Sequence, residues 1–193
     1  MTDVIRILCR EHENTLTLIR TLERQVAISE RGEVPDYDIV EGIADYFLSY
    51  PDLYHHPKEN LVFAKLRERD PAAASNIGDL QGEHDEIALR TRDFSAAARS
   101  MRGGVAVAGI PFEKWAGNFI EFQKQHMENE ERLFFPVALE VLTPQDWQEL
   151  EAKMMDQDDP LFGERVGERY EVLHANILQW ENADRQRQNE NYR

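Results

Sequence analysis

The chain has 193 residues, and 37 acidic against 22 basic side chains give a formal charge of −15 at pH 7. With 41% hydrophobic and 31% charged residues it is globular rather than disordered, and the acidic balance excludes nucleic acid, whose phosphates need basic patches. The single cysteine, Cys9, excludes an intrachain disulfide; no leader-like amino terminus and no apolar run near the roughly 18 residues of a membrane span are visible, so a soluble, cytoplasmic protein that binds no membrane is expected.

Strand signals are missing, and what recurs is apolar spacing of three and four, the mark of amphipathic helices. The first segment, from about Asp3 to Ser29, carries the stripe Ile5, Leu8, His12, Thr15, Ile19, Leu22, Val26; Gly32 and Pro35 end it. The second runs from about Tyr37 to Arg69. Pro51 and Pro57 each remove a backbone donor, so a kink or short non-helical stretch is expected there, and His55, Glu59, Val62 and Leu66 carry the stripe onward. Asp70 and Pro71 form a cap and first turn for a third helix from about Ala72 to Met101, with Ile77, Leu80, His84, Ile87, Thr91, Phe94, Ala98 and Met101 on one face; Gly103-Gly104 ends it. Pro111 opens a fourth helix, bent at Pro136 and reaching about Val141, with Phe112, Trp115, Phe119, Phe122, His126, Glu130, Leu133 and Val137.

Thr143-Pro144 starts a shorter fifth helix that ends near Met155. Asp158-Asp159-Pro160 breaks the chain, and a last helix from about Glu164 to Asn182 carries Val166, Tyr170, Leu173, Ile177 and Trp180. Ala183 to Arg193 is a polar tail expected to fray. The expected fold is all-α: an up-down-up-down four-helix bundle over residues 1–142, with a helical extension over 143–193 packed on it, as a monomer or a homodimer.

Four of the six histidines, His12, His55, His84 and His126, fall on the apolar stripes of four separate helices. A lone histidine on such a stripe is ordinarily a satisfied core residue. Four at once would each need a buried partner. Two partners are in sequence: Glu59 follows His55 by four and Glu130 follows His126 by four, which places each pair about 40° apart around the helix and about 6 Å along it. Two buried carboxylates alone would repel, and two divalent cations with a bridging hydroxide or oxide would balance them. Six nitrogen and oxygen donors are too many for one tetrahedral zinc, and imidazole argues against a calcium-type oxygen cage; the set suits two non-haem iron ions, with manganese or zinc as substitutes.

The order His12, His55-x-x-x-Glu59, His84, His126-x-x-x-Glu130 resembles the hemerythrin-like, or HHE cation-binding, domain over about residues 3 to 142. The strings His55-His56-Pro57-Lys58-Glu59 and His126-Met127-Glu128-Asn129-Glu130-Glu131 reinforce the resemblance. It implies a four-helix bundle around a di-iron centre, with Glu59 and Glu130 as bridges, His12 paired with His55 on one iron and His84 with His126 on the other. Oxygen-carrying members have a fifth histidine one turn after the third-helix ligand; here that position is Ala88, which counts against simple reversible oxygen carriage. His56 and Glu131 are possible additional ligands. His56 lies about 100° around the helix from His55 and is expected to point away unless the prolines disturb the backbone. Glu131 could replace Glu130 as the bridge, although Glu130 matches the His55/Glu59 spacing.

Weaker signals complete the reading. Glu171-x-x-His174 is half of a ferritin-type pair with no second copy and is expected to be a surface feature. Cys9 is expected to pack as a small apolar side chain. Phe47, Tyr54, Trp115, Phe119 and Phe122 are expected in the core, with Tyr54, Phe119 and Phe122 as candidate walls of the open site. The expected function is binding or reduction of a small diatomic or peroxide species (oxygen, nitric oxide, hydrogen peroxide). A non-catalytic oxygen- or iron-sensing module and iron donation for iron–sulfur repair are the alternatives, and whether the protein turns over is open.

Overall fold

The computed structural model describes residues 2–103, 110–154 and 159–180, and among them there are helices and no strand. Helix α1 spans Asp3–Glu30 and forms the first rod. The second rod is α2 (Tyr37–Tyr50), a π-helical turn (Pro51–His55) and α3 (His56–Arg69). A short α4 (Pro71–Ile77) leads to the third rod, α5 (Leu80–Arg102). The fourth rod is α6 (Phe112–Asn129), a second π turn (Glu130–Phe134) and α7 (Phe135–Val141). Helix α8 (Pro144–Lys153) follows, then a 3₁₀ turn (Glu168–Tyr170) that runs into α9 at 171–180.

The starts of these helices follow from local chemistry. Asp36, Asp70 and Asp79 each accept a backbone N–H of the first turn, and Thr143 forms a reciprocal capping box with Asp146. Three boundaries differ from the expected ones. The third helix is two pieces, because Gly78 takes φ 107° and Asp79 caps a new start at Leu80. The last helix begins later than Glu164, because Gly167 turns back to donate its N–H to the Pro160 carbonyl. The expected kinks at the prolines are π turns within continuous rods. Pro57 has no N–H and its ring crowds the carbonyl four residues back, so the His56 N–H bonds five back to Pro51; Pro136 has the same effect, and the Phe135 N–H bonds five back to Glu130. Met155, residues 181–182 of the expected last helix and the tail from Ala183 lie outside the described residues.

Each rod touches the next, and the fourth returns to the first. Neighbours are antiparallel. Ser29, Glu23 and His12 on the first rod meet Glu113, Lys124 and Glu131 on the fourth, and Asn60, Asp45 and Glu41 on the second meet His84, Arg99 and Arg102 on the third. The core is two apolar clusters. One gathers Leu18, Ile19, Leu22, Phe47, Tyr50, Phe94 and Phe119; the other gathers Ile5, Leu8, Val62, Leu66, Leu80, Phe134 and Phe135. Between them every rod interrupts its apolar stripe with buried polar residues: His12 and Thr15, then His55 and Glu59, then His84 and Thr91, then Gln123, His126 and Glu130. The segment after α8 adds Leu161, Tyr170, Leu173 and Ile177 to the first cluster, and Leu173 packs over Gly42. Helix α8 adds Trp147 and Leu150 to the second cluster and is tied to α3 by Arg69–Asp146 at 2.7 Å. No helix among the described residues is long and apolar enough to cross a membrane.

Candidate metal centre

The polar layer brings six residues of the sequence pattern to one place. His12, His55, Glu59, His84, His126 and Glu130 are all buried, and both glutamates are at most 1% exposed. Their inner atoms interleave. Glu59 turns Oε1 to His12 Nε2 (3.4 Å) and His55 Nε2 (3.3 Å), and Oε2 to His84 Nε2 (3.5 Å). Glu130 turns Oε1 to His84 Nε2 (3.2 Å) and His126 Nε2 (3.1 Å), and Oε2 to His12 Nε2 (3.3 Å). Two groups of donors result, one with His12 and His55 and one with His84 and His126, and Glu59 belongs to both.

The outer nitrogen of each histidine is held by the neighbouring rod, in a closed circle. Glu11 of the first rod faces His55 Nδ1 on the second at 2.8 Å, and Asn60 of the second faces His84 Nδ1 on the third at 2.9 Å. Glu83 of the third faces His126 Nδ1 on the fourth at 3.4 Å, and Glu131 of the fourth faces His12 Nδ1 on the first at 2.9 Å. Carboxylate and amide oxygens only accept, so Nδ1 carries the hydrogen on all four rings. In the neutral ring the Nε2 lone pair then points inward. Glu11 also accepts from Tyr50 Oη at 2.9 Å and from the buried Lys58 ammonium.

That orientation leaves the inside short of positive charge. His12 Nε2, His126 Nε2, both oxygens of Glu59 and Glu130 Oε2 have no hydrogen-bond partner although all are buried. Lone pairs facing lone pairs at this depth cost several kcal/mol unless a cation or a proton lies between them (about 1–3 kcal/mol per unsatisfied group). Protons fill the role in the metal-free chain. Burial alone would lower the His55 pKa, but the Glu59 charge and the hydrogen bond to Glu11 raise it to about 9. His126 reaches about 9 against the same burial through Glu130 and Glu83, and His12 is also raised well above its usual value through Glu130, Glu131 and Glu59. Burial and Glu130 push Glu59 up, yet the imidazoles of His55 and His12 outweigh them and hold it at about 2. The donor set therefore fits divalent cations. Imidazole with carboxylate selects iron, manganese or zinc over calcium.

His56 differs from its expected place. The π turn that ends at His55 changes the local rotation, and His56 is buried with its ring nearly parallel to His84 at 4.4 Å between centroids. Glu131 sits on the outer nitrogen of His12 and is about half exposed, whereas Glu130 is buried and turns its oxygens to His12, His84 and His126. Phe119 lies in an aromatic layer with Phe47 and Phe94, Phe122 is half-buried under the Arg90 guanidinium, and Tyr54 packs against Tyr50. The ring that lies against a site histidine is Phe135, stacked on His12 at 5.5 Å. Cys9 packs half-buried against the second cluster, its thiol pKa raised by burial and then by Glu131. His174 is half-buried and belongs to neither donor group.

Glu11, Lys58, Asn60, Glu83 and Phe135 escape stripe-based reading because all but Phe135 lie beside the stripe. One signal would have found most of the supports: each flanks a site residue of its own rod, as in Glu11-His12, Glu83-His84, Glu59-Asn60 and Glu130-Glu131. Among the described residues, a small pocket of about 80 Å³ touches Glu83 and Glu130, and two larger openings approach the centre. A cavity of about 960 Å³ reaches Glu11, Tyr50 and Lys58, and a cleft of about 310 Å³ is lined by His56, His84, Asn60 and Ala88.

Among known families, the sequence model described as Hemerythrin HHE cation binding domain matches residues 3–138. Comparison with curated proteins and with solved structures gave no match.

Proposed function

The chain belongs to the hemerythrin HHE cation-binding domain family, and from that footing we propose that it is a non-haem di-iron protein that binds or reduces oxygen, nitric oxide or peroxide. The observation that carries the reading is the set of buried inner donors left without partners while all four outer nitrogens are held. His12 and His55 would hold one ion, His84 and His126 the other, and Glu59 and Glu130 would each offer one oxygen to each ion. When bound, the ion pair supplies a Lewis-acidic, redox-active centre able to exchange up to two electrons with a small molecule. Manganese or zinc can occupy the same donors.

The protein's share is orientation, charge and dryness. Glu11, Asn60, Glu83 and Glu131 fix the ring orientations, so metal capture needs the inner protons to leave but no turning of the rings. Burial pushes Glu11 up, but the bonds and charges of His55 and Lys58 hold it ionised. The two apolar clusters exclude water above and below the layer, which strengthens each interaction inside it. The small ligand is the expected partner, with the cytoplasm as the expected location.

Anaerobic purification with iron should give two irons per chain, and Glu59→Ala should lose both, because one carboxylate serves both groups. Retention of two irons by Glu59→Ala would remove the bridging role. Oxygen, nitric oxide and peroxide are then added to the ferrous protein. Visible bands that none of them alters would sink the small-molecule reading, and repeated cycles with a reductant separate turnover from binding.

A further inference from the structure

His55 and His56 are consecutive, and the structure buries both rings, 5.5 Å apart between centroids, each against different histidines of the other rods. His55 lies against His12, with centroids 4.9 Å apart, and His56 lies against His84 at 4.4 Å and His126 at 5.8 Å. Glu59 is four residues after one and three after the other, and both spacings return to the same helix face, so its carboxylate stands between the two rings. A donor atom of His56 lies within 4.8 Å of donor atoms of Glu59, His84 and His126. On the outer side an acid of the same rod, Asp52, faces His56 Nδ1 at 3.5 Å, whereas the other four rings are held from the neighbouring rod. The corresponding residue on the fourth rod, one after His126, is the buried Met127, which has no imidazole to offer.

Building on the di-metal reading above, we propose that His56 is a fifth imidazole donor, given to the ion held by His84 and His126, so that the two ions are inequivalent. That ion takes three imidazoles and an oxygen from each of Glu59 and Glu130; the ion at His12 and His55 takes two imidazoles and the same two carboxylates. With one shared solvent bridge the His56 ion reaches six donors and the other only five. The donor comes from the second rod, while the third-rod position Ala88 lines the neighbouring cleft.

The test uses the full chain loaded with cobalt(II), whose visible absorption weakens as coordination rises from five to six. The wild type should bind two cobalt ions with unequal spectra on stepwise loading. His56→Ala should bind the second-group ion at least about tenfold more weakly, at or above the loss that even an outer-sphere partner carries. Its absorption should intensify, and added imidazole should return both affinity and spectrum towards wild type. A His56→Ala chain with unchanged cobalt affinity and spectrum overturns the assignment, and so does one that melts earlier without metal but binds cobalt as wild type does, since that outcome belongs to a packing role. A wild type that takes up no metal pair overturns the di-metal reading itself, and the two failures are thereby distinguished.

Discussion

Glu11 serves three donors at once, the His55 ring, the Tyr50 hydroxyl and the Lys58 ammonium, from a position that the apolar stripe of α1 does not mark. Its charge is what makes His55 a better donor on the inner side. Glu11→Gln should therefore weaken the His12/His55 ion by about 10–100-fold and leave the His84/His126 ion nearly untouched, as read by competitive metal titration. The same layer sets a pH response. His55 and His126 have folded values of about 9 against 6.5 unfolded, so their stabilisation of the metal-free chain is complete below about pH 6.5 and is lost as pH rises through about 9. Metal competes with those protons, so its affinity rises over the same interval. Denaturation of the metal-free chain at the two ends of that range, beside metal titrations at both, should show opposite slopes; equal stability at the two ends would contradict the proton-filled layer.

The helices carry the layer through two π turns, each ending two residues before a proline: His55 before Pro57 and Phe134 before Pro136. Both prolines are exposed, so neither contributes to the core. Their effect is on backbone phase, and phase decides which side of the centre His55, His56 and Glu130 reach. Pro57→Ala restores a donor and removes the crowding, which lets the rod relax towards regular α-helix. Melting of the metal-free chain should hold or rise, since one backbone hydrogen bond is worth about 1 kcal/mol net. Metal affinity should fall because the imidazoles turn with the backbone. Affinity equal to wild type would mean that packing, not the proline, maintains the turn. The two prolines were visible as a disturbance of the second and fourth rods. The sense of that disturbance was not, because a missing N–H is compatible with a kink, a break or a widened turn. Gly78 shows the same limit: one residue with positive φ splits an apolar spacing that reads as unbroken from Ile77 to Met101.

Across the molecule, the polar layer divides one core into two, and four rods meet at the same height although their site residues stand far apart along the chain. The extension after α8 completes the first of these cores. Leu173 is 3% exposed and lies over Gly42, so Leu173→Ala should cost about 2–4 kcal/mol in chemical denaturation. Metal affinity should change little, since Leu173 lies in the cluster beyond the layer. A loss below about 0.5 kcal/mol would show that the extension rides on the bundle without supporting it.

Local spacing by itself determined the helices, their caps at Asp70 and Thr143, and the four histidines and two glutamates on their stripes. Those features follow from the 3.6-residue repeat and from which side chains can accept a backbone N–H, so each is written within a few residues of itself. The circle of supports, the two donor groups and the inward turn of His56 are contacts between rods. They depend on how one helix is rotated against another, and a fraction of a turn at Pro57 or Pro136 changes them without altering the apolar pattern. Only the packed tertiary structure decided them.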